Sequence, residues 1–309
     1  MKEYLLEILR CPETGGKLQI RNAKIHNNEI YEGELVNSSG RVYPVIKGIP
    51  RFVDSDAYVS NFSMEWTIHR KTQLDTETCA ESFESFKERV GFNQNELQGK
   101  MVLDAGVGMG RYSDVVLKMG AKAVGIDLSF AIESAQSNLS NNPNFNCIQA
   151  DIFNPPFEKE CFDYIFSIGV LHHTPDCRKA FLSLVPYLKK GGEIAIWVYA
   201  WRGFQSIRSN FWRFFTTKIP HKTLYWIIKT FLPIWDFGLK IPVIHKAFWI
   251  IPTSYHPDKE WRILDTFDWY SPKYQSKHRW EEVEKWFEEA GLKEIRRMNF
   301  PISVRGKKC

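Results

Sequence analysis

Paired cysteines are missing from this sequence. Its six, Cys11, Cys79, Cys147, Cys161, Cys177 and Cys309, stand apart with no C-x-x-C among them. That scatter argues against a disulfide framework and against a cysteine metal knuckle, and it predicts reduced thiols in a cytoplasmic protein with no bound metal. Long apolar runs are missing too: no stretch reaches the roughly 18 residues of a membrane-spanning helix, so an integral membrane protein is not expected. The start, Met1-Lys2-Glu3-Tyr4-Leu5-Leu6-Glu7, carries acids and no apolar run, and no secretory signal is expected. The sequence has neither an internal repeat nor a low-complexity tract. Net charge is small, +5 over 309 residues, and unevenly placed. Between Trp201 and Tyr255 eight Lys or Arg stand against one acid, Asp236, and a local excess of this kind recruits partners.

What the chain has in plenty is aromatic rings, 15% of residues with 11 Trp. Apolar residues at 44% and charged residues at 25% are ordinary for a soluble globular chain with a sizeable core. The length holds one α/β domain plus something smaller. Residues 1–54 predict a small α+β module. A helical pattern of Leu5, Leu6, Ile8 and Leu9 stops at Cys11-Pro12, and short strands follow at Leu18–Ile20, Lys24–His26, Ile30–Val36 and Arg41–Ile46. Two stretches, Leu-Leu-Glu-Ile-Leu-Arg-Cys-Pro-Glu-Thr-Gly-Gly-Lys-Leu and Tyr43-Pro44-Val45-Ile46-Lys47-Gly48-Ile49-Pro50, resemble a small zinc-ribbon-like family. That family includes the activator subunit of several RNA and protein methyltransferases. The resemblance implies an adaptor. Its metal does not carry over, because Cys11 stands alone where a tetrahedral site needs four ligands.

Residues 55–98 read as a linker holding Phe62, Trp66 and Ile68, with a capping helix over Glu77–Val90. From 99 onward strand and helix patterns alternate: Met101–Asp104, Arg111–Met119, Ala121–Asp127, Phe130–Asn138, Phe145–Ala150, Phe162–Ser167, Arg178–Lys189 and Glu193–Tyr199. Such alternation predicts a Rossmann-like, doubly wound α/β sheet over 99–309. A helical insertion falls at 201–278, a helix at Trp280–Ala290 and a strand at Leu292–Phe300.

The first strand runs into Asp104-Ala105-Gly106-Val107-Gly108-Met109-Gly110. In a doubly wound sheet a nucleoside ligand lies outside the carboxyl ends of the strands, beside this turn. The spacing is GxGxG behind an acid, unlike the GxGxxG of dinucleotide sites. Asp104 would repel a pyrophosphate and suit the ammonium of a methionine moiety. Asp127 ends the second strand, where it can accept both ribose hydroxyls, with Leu128 beside it. Asp151 ends the third and can accept from an adenine amino group, with Ile152 or Phe153 over the ring. These residues resemble the class I methyltransferase superfamily over roughly 99–200 and 279–300. The resemblance implies that Asp104, Gly106, Gly108, Gly110, Asp127, Leu128, Asp151, Ile152 and Ser167 bind S-adenosylmethionine.

Methyl transfer needs alignment and, for a hydroxyl, a base. His172 and His173 follow the fourth strand and are the candidates, as base or as groups that orient the loop or cap the next helix. Tyr199 ends the fifth strand as a wall of the acceptor site or as a structural residue. Asp265-Thr266-Phe267-Asp268-Trp269-Tyr270-Ser271-Pro272, with Tyr274 and His278, is a loop by composition and resembles a stretch that closes over the active site in these enzymes, with Trp269 and Tyr270 as substrate contacts. In the insertion, Phe204, Ile207, Phe211, Trp212 and Phe215, then Leu224, Tyr225, Ile227, Ile228, Phe231 and Leu232, fall at helical spacing, broken at Pro220, Pro233, Pro242 and Pro252. These helices suit packing on the sheet, a lid over a greasy acceptor, an anionic membrane surface, or single-stranded nucleic acid. The expected activity is methyl transfer to oxygen or nitrogen of a small acceptor, lipid-linked and sugar-containing ones included. An RNA-modifying methyltransferase is the alternative, and a non-catalytic scaffold a further one. A cytoplasmic protein peripheral to the membrane fits this reading.

Overall fold

The computed structural model describes the whole chain except Ala57, Glu77 and residues 240–250. The N-terminal segment holds α1 (Leu5–Ile8) and strands β1 (Gln19–His26), β2 (Glu29–Val36), β3 (Val42–Ile46) and β4 (Ile49–Pro50), an antiparallel sheet in that order. Asn27 and Asn28, at φ 50° and 61°, make the β1–β2 turn, a pair of left-handed residues that asparagine tolerates. Along β3, Tyr43 and Val45 point inward and Val42 and Ile46 outward, the period of a half-buried strand. Cys11 is buried and held by polar partners, with Asn37 Nδ2 and Tyr43 Oη each 3.2 Å from its sulfur. Burial raises its pKa, but hydrogen bonds from Thr14, Tyr43 and Asn37 outweigh that and bring the thiol to about 7.

The linker supplies α2 (Ser60–Ile68), α3 (Glu81–Val90) and α4 (Gln94–Leu97). The capping helix starts later than its apolar pattern predicts, and its expected first residue, Glu77, lies outside the described residues. Asp75 accounts for the late start: its carboxylate accepts from the Ser82 and Phe83 amides, at 2.7 and 2.9 Å, and so caps the first turn.

The remaining elements are β5 (Met101–Ala105), α5 (Arg111–Lys118), β6 (Lys122–Asp127), α6 (Ile132–Leu139), β7 (Phe145–Gln149), β8 (Phe162–Ile168), α7 (Cys177–Leu184), β9 (Leu188–Trp197), α8 (Phe204–Thr216), α9 (His221–Leu239), α10 (Lys259–Tyr270), α11 (Trp280–Glu289), β10 (Leu292–Arg297) and β11 (Ser303–Lys308). Seven strands pair in the order β10-β11-β9-β8-β5-β6-β7. Strands β5 to β9 run parallel, and β11 runs antiparallel between β9 and β10. This is the doubly wound α/β sheet predicted.

Four local expectations are corrected. The strand at Leu292–Phe300 stops at Arg297, and a second strand, β11, follows, disguised in sequence by Arg305. That side chain is buried and donates to Glu193, Glu96 and the Gly91 carbonyl, which compensates its charge. The helix at Arg178–Lys189 ends at Leu184, just before Pro186, and β9 begins at Leu188. Pro233 sits inside α9 rather than ending it, whereas Pro242 lies outside the described residues. The stretch Asp265–Tyr270, expected as loop, is the second half of α10. The Asp258 side chain caps that helix through the Trp261 amide at 2.8 Å, and Ile263, Leu264, Phe267 and Tyr270 bury one face.

One apolar core joins the N-terminal segment to the large sheet. Met1, Leu5, Leu9, Leu35 and Val45 pack in the same cluster as Leu103, Ile126, Ile148, Phe157 and Phe162. The joint is also hydrogen-bonded. The Arg10 amide donates to the Pro156 carbonyl at 2.9 Å and the Glu158 amide to the Ile8 carbonyl at 2.7 Å. Arg51, itself buried, donates to Gln149 Oε1 at 2.6 Å and Glu133 Oε1 at 2.7 Å. The segment therefore covers β7, the strand that ends the sheet on that side, and an uncovered edge is a hazard for any sheet.

Candidate active site

A cavity of ≈ 970 Å³ opens at the carboxyl ends of β5, β6, β8 and β9, where a doubly wound fold places its ligands. Its floor on one side is the glycine turn. Gly106 has φ +96°, and a side chain there would meet Val170 at 2.3 Å. Gly106 and Gly108 face the cavity together with Val107 and Met109 of the same turn. Gly110 does not; it caps α5, where a side chain would strike Leu139 at 2.6 Å. Packing as well as ligand approach therefore demands these glycines.

Asp127 and Asp151 line the cavity, with Leu128 and Ile152. Asp127 Oδ2 accepts from the Gly108 amide at 2.8 Å, and Oδ1 accepts from the Ser129 amide and hydroxyl at 2.8 and 2.6 Å. Burial raises its pKa against those bonds. A carboxylate has about four lone-pair positions, so one remains for a ligand hydroxyl. Asp151 Oδ1 accepts from the Phe153 amide at 3.0 Å.

Asp104 and Ser167 are placed differently from expectation. Asp104 lies behind the glycine turn, off the cavity wall, and accepts the Ser113 hydroxyl at 2.8 Å. Burial raises its carboxyl to about 7, with the Asp127 charge adding to the shift. Direct contact with a ligand ammonium is not available to it here. Ser167 is fully buried and donates to the Ala105 carbonyl at 2.7 Å, tying β8 to the end of β5.

The opposite end of the cavity gathers His173, Tyr199, Trp269 and Tyr270, all candidates from sequence, with Asp265, Asp268 and Lys277. Tyr199 Oη donates to Asp268 Oδ2 at 2.8 Å. His173 Nδ1 lies 3.0 Å from the Tyr274 carbonyl, which can only accept, so its Nε2 carries the lone pair. Burial holds His173 at about 3, whereas burial lifts Asp268 to about 6 against its bond to Tyr199. His172 is corrected as a catalytic candidate. It is fully buried and stacks on Tyr199 at 3.8 Å, one layer behind the wall, so no acceptor in the cavity touches it.

Sequence reading missed α2. Its Phe62, Glu65 and Trp66 roof the cavity beside Tyr58. Ser134 Oγ donates to the Trp66 carbonyl at 2.8 Å and the Phe130 amide to Ser63 Oγ at 3.0 Å, so the linker is fastened onto the sheet. Phe62 and Trp66 were legible as apolar linker residues; Glu65 carried no signal, because a lone glutamate on a short helix reads as solvated surface. Among the described residues no cluster of His, Cys, Asp and Glu is arranged to hold a metal ion.

Sheet order, glycine turn and strand-end acids agree with a match to a methyltransferase domain, a family whose methyl donor is S-adenosylmethionine. Residues 103–196 match the family model described as a methyltransferase domain, residues 2–48 match the model described as Trm112p-like protein, and the chain carries both. It is similar to phosphoethanolamine N-methyltransferase 2 of Caenorhabditis elegans, 33% identical over 107 residues that cover 33% of this chain and 24% of that protein. It is similar to the ubiquinone biosynthesis O-methyltransferase of Coxiella burnetii, 30% identical over 122 residues, 38% of this chain and 48% of that protein. It is also similar to the tRNA U34 carboxymethyltransferase of Pseudomonas aeruginosa, 36% identical over 106 residues, 33% of each. The chain thus spans between about a quarter and a half of these relatives' lengths.

Proposed function

We propose that this protein transfers a methyl group from S-adenosylmethionine to oxygen or nitrogen of a small acceptor. The observation that carries the reading is one continuous cavity. Two strand-end carboxylates, Asp127 and Asp151, stand at one end, and a titratable cluster of His173, Tyr199 and Asp268 stands at the other. Gly106, Gly108, Asp127, Leu128, Asp151 and Ile152 hold the donor. When bound, the donor supplies an electrophilic methyl carbon on a sulfonium. The chain's own work is to align the acceptor and receive its proton. Asp268 suits that second task better than His173, because its pKa of about 6 lies nearer neutrality.

Calorimetry with S-adenosylmethionine, S-adenosylhomocysteine and NAD tests the donor. Asp127→Ala is expected to weaken S-adenosylhomocysteine binding by about tenfold or more, roughly the worth of one charge-assisted hydrogen bond. Binding of NAD alone overturns the reading. Radiolabelled methyl transfer into a fractionated extract then sorts the acceptor, and label in the RNA fraction would favour a nucleic-acid substrate.

A second element of the proposal concerns where the protein works. Helix α8 is inverted: Gln205, Arg208 and Ser209 face the cavity, while Phe204, Ile207, Phe211 and Phe214 form a stripe facing solvent. On α9, Trp226, Ile234 and Phe237 are exposed as well, with Lys218, Lys222 and Lys229 around them. No helix among the described residues is long and apolar enough to cross a membrane. An outward apolar stripe with basic flanks matches the surface of an anionic bilayer, and it would bring the cavity mouth to acceptors carried there.

A further inference from the structure

Three hydrogen-bond acceptors, in residues that line the cavity, have no donor among the described residues. Glu65, on α2, is 1% exposed, and its Oε2 has no hydrogen-bond partner. His173 Nε2, in a residue 4% exposed, has none either. Asp268 uses Oδ2 for the Tyr199 hydroxyl, and its Oδ1 stands 3.9 Å from His173 Nε2, beyond hydrogen-bond reach. Nearby cations direct their hydrogen bonds elsewhere, although the Arg213 charge still acts on Asp268 and lowers its pKa. Arg213 Nη1 and Nη2 donate to the carbonyls of Trp269 and Pro272, and Lys277 Nζ donates to Asn210 Oδ1 and the Ser206 carbonyl. Buried acceptors left unmet are costly, and a ligand can meet them only by bringing donors.

We infer that the methyl acceptor is an amine whose ammonium head is received by Glu65 Oε2, Asp268 Oδ1 and His173 Nε2. This rests on reading the cavity as the acceptor site. A hydroxyl brings one proton and no charge, and a phosphate brings only more acceptors. A primary ammonium brings three N–H donors and a positive charge to a wall bearing Glu65, Asp265 and Asp268. Burial pushes all three carboxyls above their ordinary range, Asp265 and Asp268 to about 6, and the Asp268 charge adds to the shifts of Glu65 and Asp265, a penalty that a cation relieves. Asp268 Oδ1 then takes one proton from the ammonium. That leaves a neutral amine with its lone pair free and a carboxylic acid that returns the proton to solvent after turnover.

The test uses the full chain saturated with S-adenosylhomocysteine, titrated calorimetrically with n-hexylammonium chloride and with 1-hexanol. Hexylammonium is expected to bind about tenfold or more tighter than hexanol. Glu65→Gln and, as a second variant, Asp268→Asn should erase that preference while S-adenosylhomocysteine affinity stays within about twofold. Equal affinity for hexanol overturns the amine assignment and leaves the donor reading standing. Loss of S-adenosylhomocysteine binding in Glu65→Gln moves Glu65 to the donor's site and overturns the assignment as well. A wild-type protein that binds no S-adenosylhomocysteine overturns the donor reading, and the amine with it.

Discussion

At the scale of single residues, the three strand-end acids prove unlike one another. Asp127 and Asp151 face the cavity, whereas Asp104 braces the glycine turn from behind through Ser113. Its pKa of about 7 makes it a stability switch. A carboxyl raised in the folded state contributes stability while protonated, and that contribution is lost as pH climbs through the folded pKa. Asp104→Asn is neutral at every pH and should gain on the wild type between pH 4 and 7, by about 1.4 kcal/mol per pH unit as an upper limit. Urea denaturation at the two ends of that range measures the difference, and a pH-independent difference would return Asp104 to the ordinary carboxylate range. Sequence alone could read the acid and its place at a strand end. It could not read the side chain's direction, which depends on Ser113 lying one helical turn inside α5.

At the scale of elements, the insertion divides its apolar residues between two jobs. Leu224, Ile228 and Leu232 of α9 pack on Ile263, Phe267 and Tyr270 of α10, which fixes α9 beside the cavity. Other rings stay outside, Phe211 at 58% and Trp226 at 66% exposure, more apolar surface than a lone globular chain usually presents. The wild type should sediment with phosphatidylcholine vesicles containing about one third phosphatidylserine and less with pure phosphatidylcholine. Phe211→Ser with Trp226→Ser should abolish sedimentation while S-adenosylhomocysteine binding persists. Equal sedimentation of variant and wild type would remove the membrane from the proposal. Helical spacing was legible in the sequence, because 3.6-residue periodicity survives any context. Which stripe faces out was not, since α8 turns its polar side toward the cavity and its apolar side to solvent. The same blindness applies to α10, whose Asp265-to-Pro272 polarity reads as loop until the Asp258 cap and the buried face are seen together.

At the scale of the whole molecule, the Trm112p-like segment and the methyltransferase domain share one core and a network of hydrogen bonds at β7. Arg51 is the central tie. Arg51→Ala leaves Gln149 and Glu133 without their donor and should lower stability by about 1–3 kcal/mol, the cost of an unmet buried Gln149 oxygen, with little added by the half-exposed Glu133. One calorimetric transition, shifted downward as a unit, is expected; two separate transitions would mean that the segments unfold independently.

The sequence by itself determined the alternation of strands and helices, the glycine turn, the acids at strand ends and the adaptor-like start. All of these are local: they rest on periodicity, turn chemistry and short spacings that neighbouring residues impose. Only the tertiary structure decided which acid meets the cavity, that His173 rather than His172 reaches it, and that Glu65 from the linker stands beside Asp268 some two hundred positions later. Those outcomes depend on which faces are brought together by long-range packing, and burial, which converts an ordinary glutamate into an acceptor awaiting a donor, is a property of the fold and not of any segment.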